Sequence, residues 1–438
     1  MAAIVDKAVN FANLKYQIGF GNHCATEVLE GALPIGQNGP QVCPYGLYAE
    51  QINGTAFTCP RGRNFHAWMY RIRPPLSHSK MQEIDNDAIT FDHLVSDPNQ
   101  YRWRPFDFAS SPDVTFVNGL SLVSGAGDPT MKSGLAIYTY GINASMGSTA
   151  MHNSDGDYLI VPQEGTLKIQ TEMGLLVVEQ QEICVIPRGI KFAINVEGPS
   201  RGYVLEVFEG HFEIPSLGPI GSNGLANPRD FEIPVAYYQD IDEQCTVINK
   251  FGGKMWQAQM SNSPFDVVAW HGNYYPCKYD LRKFNCMNSV TFDHPDPSIY
   301  TVLTCQTMDP GVAVCDFVIF PPRWMVMEHS FRPPFYHRNT MAEFMGMIWG
   351  KYDAKEGFMP GGASMHSCMT AHGPDGATFL KASAAELKPE YFDAGLAFMF
   401  ESTYQLKLSK KALAAPNLEV DYMKCWAELP KTFNPNKK

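Results

Sequence analysis

At 438 residues, 45% apolar and 18% charged, the chain is long enough for more than one hydrophobic core and too apolar for a disordered polymer. Its 36 glycines and 32 prolines favour many turns and short strands over long helices, which excludes an all-α fold. The 34 basic residues against 45 acidic ones give −11 with no basic stripe, which excludes nucleic acid as a natural partner.

The opening MAAIVDKAVNFANLKY is interrupted by Asp6 and Lys7 and has no long apolar run, so it reads as neither a secretory signal nor a membrane span. Residues 1 to about 130 are loop-rich, with GlyPro, AsnGly and ProPro punctuation, and are expected to form an arm or packing layer. From Gly134 to Gly210 seven strand-like runs follow in close order: LAIYTYGI, DYLIVP, TLKIQTE, LLVVE, EICVIP, KFAINVE and GYVLEVFEG. Short strands punctuated by Gly165, Gly174, Gly189 and Gly202 predict an antiparallel barrel or jelly roll. A second β-rich block runs from about Ser263 to Tyr352, with FDVVAW, TVLT, DFVIF and EFMGMIWG. Helix is expected only briefly, around Ser383 to Phe392. The 11 cysteines include no CxxC pair and read as scattered reduced thiols, in keeping with a cytoplasmic location.

The two blocks resemble the two-motif cupin layout, in which an early motif supplies a histidine and a carboxylate and a later P-x-G-x-x-H supplies the last ligand. In the first block His152 is present, but Phe192 occupies the final ligand position. A phenyl ring cannot bind a metal, so this barrel is expected to keep its packing without an ion. In the second block His337, Asn339, Glu343 and Gly350 fit the early motif, with asparagine at the second histidine. The expected fold is mainly β, as two cupin-like jelly-roll modules: residues 1–280 with a metal-free barrel, and residues 281–438 with the metal.

His337 and Glu343 are six positions apart. In an extended or bent strand that even spacing sends both side chains to one face, whereas a helix would splay them by roughly 240°. One histidine from a returning strand would complete two imidazoles and one carboxylate on one side of a metal, with open positions for substrate and dioxygen. His366 and His372 both qualify, because they too share parity. A lone histidine is more often a surface or core residue than a ligand, so the grouping carries the weight. His294, in FDHPDPSIY, reads either as a turn residue or as a general base. As a base it faces a phenol about 3.5 pKa units too weak, a deficit of about 5 kcal/mol that only a metal beside the phenol oxygen would remove.

The segments LPIGQNGPQVCPYGLYAEQINGTAFTCPR, NGLANPRDFEIPVA, VVAWHGNYYPCKYDL, FDHPDPSIYTVLT, DFVIFPPRW and FRPPFYHRNTMAEFMG together resemble the homogentisate 1,2-dioxygenase family, from about Lys15 to Trp426. The resemblance implies an Fe(II) enzyme that cleaves the ring of homogentisate with O2 to 4-maleylacetoacetate, in tyrosine and phenylalanine breakdown. Carried over by position, it places the iron ligands on His337, Glu343 and His372, the base on His294, and substrate contacts on Tyr352, His366 and the ligand His372. It also implies a homo-oligomer, a hexamer built as a dimer of trimers. Ala371 departs from the proline expected before the ligand His372. The rival functions are ring cleavage of a related hydroquinone acid such as gentisate, a zinc or manganese cupin enzyme, and a non-enzymatic two-barrel protein.

Overall fold

The computed structural model describes residues 9–91, 93–216, 225–287, 290–293, 297–427 and 429–437. The chain is mainly β, with three short α-helices among the described residues. All seven runs expected between Gly134 and Gly210 are strands. They divide between a ten-stranded and a seven-stranded sheet. In the larger sheet Asp157–Glu164 lies between Glu182–Ile186 and Ser200–Val207, both antiparallel, and Ser200–Val207 pairs in turn with Ser133–Ile142. Asp157 to Gln163 are buried without a break, which explains the unbroken apolar run DYLIVP: both faces of this strand are covered. Its register shifts between Pro162 and Glu164, where proline has no N–H for the ladder.

In the smaller sheet Cys245–Phe251 and Lys254–Met260 form a hairpin that turns on Gly252 and Gly253. Both have positive φ, +64° and +74°, which a two-residue hairpin turn requires and glycine adopts without strain. Asp155 accepts both glycine N–H groups, at 2.6 and 2.9 Å, and the buried Lys250 ammonium at 2.7 Å. Phe192 is fully buried against the rings of Phe116 and Tyr158.

The expected packing layer supplies strands of its own. Cys24–Glu27, Tyr48–Asn53 and His66–Arg71 build a four-stranded sheet with Val267–Gly272. That last strand, read from the sequence as part of the second block, therefore belongs with the N-terminal region. Its antiparallel register with His66–Arg71 is locked by Arg71, which is buried among Glu50, Glu172 and Asp266 at 2.6 to 3.1 Å.

A second seven-stranded antiparallel sheet orders Phe212–Glu213, Thr301–Gln306, Ala313–Phe320, Gly395–Ser402, Ala342–Gly350, Ala363–His366 and Tyr101–Trp103. Its core is aromatic, with Phe398 and Phe400 at 4.8 Å and Phe317 and Phe344 packed on them. It lies against the larger sheet of the first barrel, where the Tyr203 hydroxyl donates to the Gly362 carbonyl at 2.6 Å and Gln163 to that of Ile348 at 3.1 Å.

The helix expected at Ser383–Phe392 is displaced. It spans Gly376–Ser383, because Asp375 caps it by accepting the Thr378 N–H at 2.7 Å. Glu390–Phe392 is instead a strand paired with Arg323–Met325. Cross-strand pairing there overrides the weak helical preference of a short segment that ends at a proline. No helix among the described residues is long and apolar enough to cross a membrane.

Candidate metal centre

Glu343 is the second residue of the strand Ala342–Gly350, with the side chain buried. His337 is not on that strand. It forms a separate antiparallel bridge with His372, each N–H donating to the other's carbonyl at 3.0 and 3.1 Å. Between bridge and strand the chain bends at Asn339, whose Oδ1 accepts the Met341 N–H at 3.0 Å. An asparagine turned onto its own backbone favours such a bend. The pair singled out by parity thus meets along a bent path rather than on one strand, and the backbone bridge ties in the third residue.

The ligand-type atoms of His337, Glu343 and His372 all lie within 4.8 Å of one another. Nδ1–H of His337 donates to the Phe335 carbonyl and Nδ1–H of His372 to the Thr370 carbonyl, each at 2.9 Å. A carbonyl only accepts, so both rings carry a proton on Nδ1 and turn Nε2 toward Glu343, where it can take a metal ion or, without one, a second proton. His372 Nε2 lies 3.0 Å from a Glu343 oxygen, buried and without a hydrogen bond. Two acceptors at that distance repel unless a cation lies between them. Two imidazole nitrogens and a carboxylate suit a divalent transition ion, and this orphaned nitrogen shows that the residues fit one.

Burial alone would raise the Glu343 carboxyl, but the surrounding imidazoles of His337, His366 and His372 hold it well below the usual carboxylate range. His337 is raised by Glu343, against its own burial. His372 and Glu343 are buried, while the His337 side chain is 28% exposed and marks the open side.

His366 faces Glu343 across the sheet in direct register. Its Nδ1 contacts a Glu343 oxygen at 3.2 Å and its Nε2 contacts the Lys355 ammonium at 2.7 Å. Burial and the Lys355 charge push His366 down to about 3, so it is a neutral ring with both nitrogens engaged inside the protein. As built, neither nitrogen is free for the substrate contact expected of it. Tyr352 lines the same cavity, with Phe320, Pro334 and Met399, and its ring packs edge-on against Phe320 and Phe358. His294 lies outside the described residues. Ala371, in place of the expected proline, is held through its carbonyl by Gln100 at 2.5 Å.

Sequence reasoning missed Lys355 and Tyr422. Lys355 lines the cavity, fully buried, and burial lowers its pKa to about 8. It also donates to the Tyr422 hydroxyl at 3.0 Å. No pattern signals this contact, since Tyr422 lies 67 positions downstream. Wider clefts of about 470 and 660 Å³ occur elsewhere, but no histidine lines either.

Two family models, described as homogentisate 1,2-dioxygenase N-terminal and C-terminal, match residues 15–281 and 282–433. The chain is 55% identical over 436 residues to the homogentisate 1,2-dioxygenase of Homo sapiens, covering 97% of this chain and 98% of that one. Identity is 54% to the Caenorhabditis elegans enzyme of the same name and 52% to that of Pseudomonas fluorescens, again covering 97% and 98%. Such identity, sustained over nearly the full length of both partners, places this chain in the homogentisate 1,2-dioxygenase family.

Proposed function

We propose that this chain opens the aromatic ring of homogentisate with dioxygen at an Fe(II) held by His337, Glu343 and His372, yielding 4-maleylacetoacetate in tyrosine and phenylalanine breakdown. The observation that carries the reading is the buried His372 Nε2, 3.0 Å from the Glu343 carboxylate and without a hydrogen-bond partner. When bound, the ion supplies the electron exchange that triplet dioxygen needs to react with a closed-shell ring, and it acidifies a phenol oxygen beside it. His294 takes that phenolic proton, and Tyr352 orients the ring at the mouth of the cavity. Lys355, protonated near neutrality, adds positive charge that favours an anionic acid as substrate.

Residues 281–438 act as the catalytic module and residues 1–280 as a metal-free companion. A cytoplasmic location accords with eleven cysteines that are all free thiols. A homo-oligomer, a hexamer of two trimers, accords with exposed Ile35, Val42 and Phe57 in the N-terminal region, and light scattering would measure it. The deciding experiment is anaerobic loading with ferrous ion, followed by oxygen-electrode recording on homogentisate. Absence of uptake by the loaded protein, or equal uptake after zinc replacement, would remove the iron dioxygenase reading.

A further inference from the structure

A buried lysine is costly and is ordinarily paired with a carboxylate. Lys355 is 5% exposed, yet among the described residues its ammonium forms no ion pair. It is bonded instead to two neutral groups, His366 Nε2 at 2.7 Å and the Tyr422 hydroxyl at 3.0 Å. The rings of Tyr422 and Trp426 flank it, with centroids 5.7 and 5.6 Å from Nζ. An aromatic box of this kind supports a cation at modest cost and holds it in place.

The consequence falls on His366. A donor at Nε2 leaves the ring its single proton on Nδ1, and that N–H points at a Glu343 oxygen 3.2 Å away. The opposite tautomer would set a lone pair against the carboxylate. His366 also stacks on His372, with centroids 4.5 Å apart and planes 16° from parallel, so a shift of one ring moves the other. Three separate pieces of chain thus converge on one carboxylate: the Tyr422–Trp426 turn, the loop carrying Lys355, and the strand Ala363–His366.

We infer that Lys355 is a positioning residue of the metal centre, setting the tautomer of His366 and through it the orientation of Glu343. This rests on the metal reading above. Partners that orient metal ligands typically contribute 10- to 100-fold to metal affinity. The test strips the full-length protein of metal and titrates it with Co2+ against a competing chelator, recording the visible spectrum of the bound ion. Wild type, Lys355→Met and Tyr422→Phe are compared, with the melting temperature of each metal-free protein as a folding control.

Lys355→Met is expected to bind Co2+ about 10- to 100-fold more weakly, with shifted absorption bands. Tyr422→Phe, which keeps the ring and loses the hydroxyl, is expected to move both readouts the same way by less. Wild-type affinity and spectrum in Lys355→Met would overturn the inference, including the case where only KM for homogentisate rises and Lys355 serves the substrate instead. If Lys355→Met does not fold, an unchanged affinity and spectrum in Tyr422→Phe overturns it. Wild-type protein that takes up no Co2+ would defeat the metal reading itself, a result separable from equal binding by wild type and variant.

Discussion

The imidazole of His372 is aimed by one backbone carbonyl. Because the Thr370 carbonyl accepts from Nδ1–H, Nε2 is the nitrogen left to meet a cation, and the fold directs it at a carboxylate. His337 is set in the same way by Phe335. On the proposed reading, removing either end of this arrangement deletes a bond to the ion, so His337→Ala and Glu343→Ala are each expected to lose iron and oxygen uptake together. Metal analysis beside the oxygen electrode checks this, and full activity in either variant would refute the assignment. His294 belongs to a different class of effect. Its replacement by alanine is expected to leave iron content intact while turnover falls about 10²- to 10⁴-fold, the range for an acid–base group. Iron loss in His294→Ala would make it a ligand instead.

At the scale of elements, the site depends on where strands begin and stop. The bend at Asn339 lets His337 and Glu343 share a face without sharing a strand, and Asn339 Nδ2 also donates to Glu401 on the neighbouring strand at 2.5 Å. Gly350 ends the strand of Glu343 with φ +77°, and a Cβ there would sit 2.0 Å from the Ala394 carbonyl oxygen. Gly350→Ala is therefore expected to cost at least about 1–2 kcal/mol, the left-handed penalty alone, read as a lowered denaturation midpoint. Its folded fraction should still bind metal. The motif glycine was visible in the sequence, but its reason is the close approach of the Ala394 backbone, distant in the chain, which spacing does not reveal. The helix at Gly376–Ser383 teaches the same lesson from the other side. Asp375 caps it from the adjoining residues, but the pairing that makes Glu390–Phe392 a strand comes from Arg323–Met325, distant in the chain.

Across the whole molecule, the β framework carries its metal-type side chains unevenly. Among the described residues the grouping able to hold a metal lies in the C-terminal region, while Phe192, read from the sequence as standing where a last ligand would be, is a fully buried ring. Phe192→Ala is expected to lower stability by about 3–5 kcal/mol through the cavity it leaves, with iron content per folded chain unchanged. Denaturant unfolding with metal analysis tests both halves, and altered metal content would contradict a metal-free first barrel.

Local pattern was enough to determine the β class, seven of the eight strands from Ser133 to Val207 and the nearness of His337 to Glu343, because each follows from alternation, turn residues and short-range spacing. Without the family resemblance it left His366 and His372 undecided, since parity treats them alike. Only the tertiary structure distinguishes them: Lys355 and Glu343 engage the two ring nitrogens of His366, while a carbonyl two residues back holds Nδ1 of His372 and leaves its Nε2 facing Glu343. Hydrogen-bond partners decide which nitrogen is free, and partners brought together by folding leave no trace in sequence spacing.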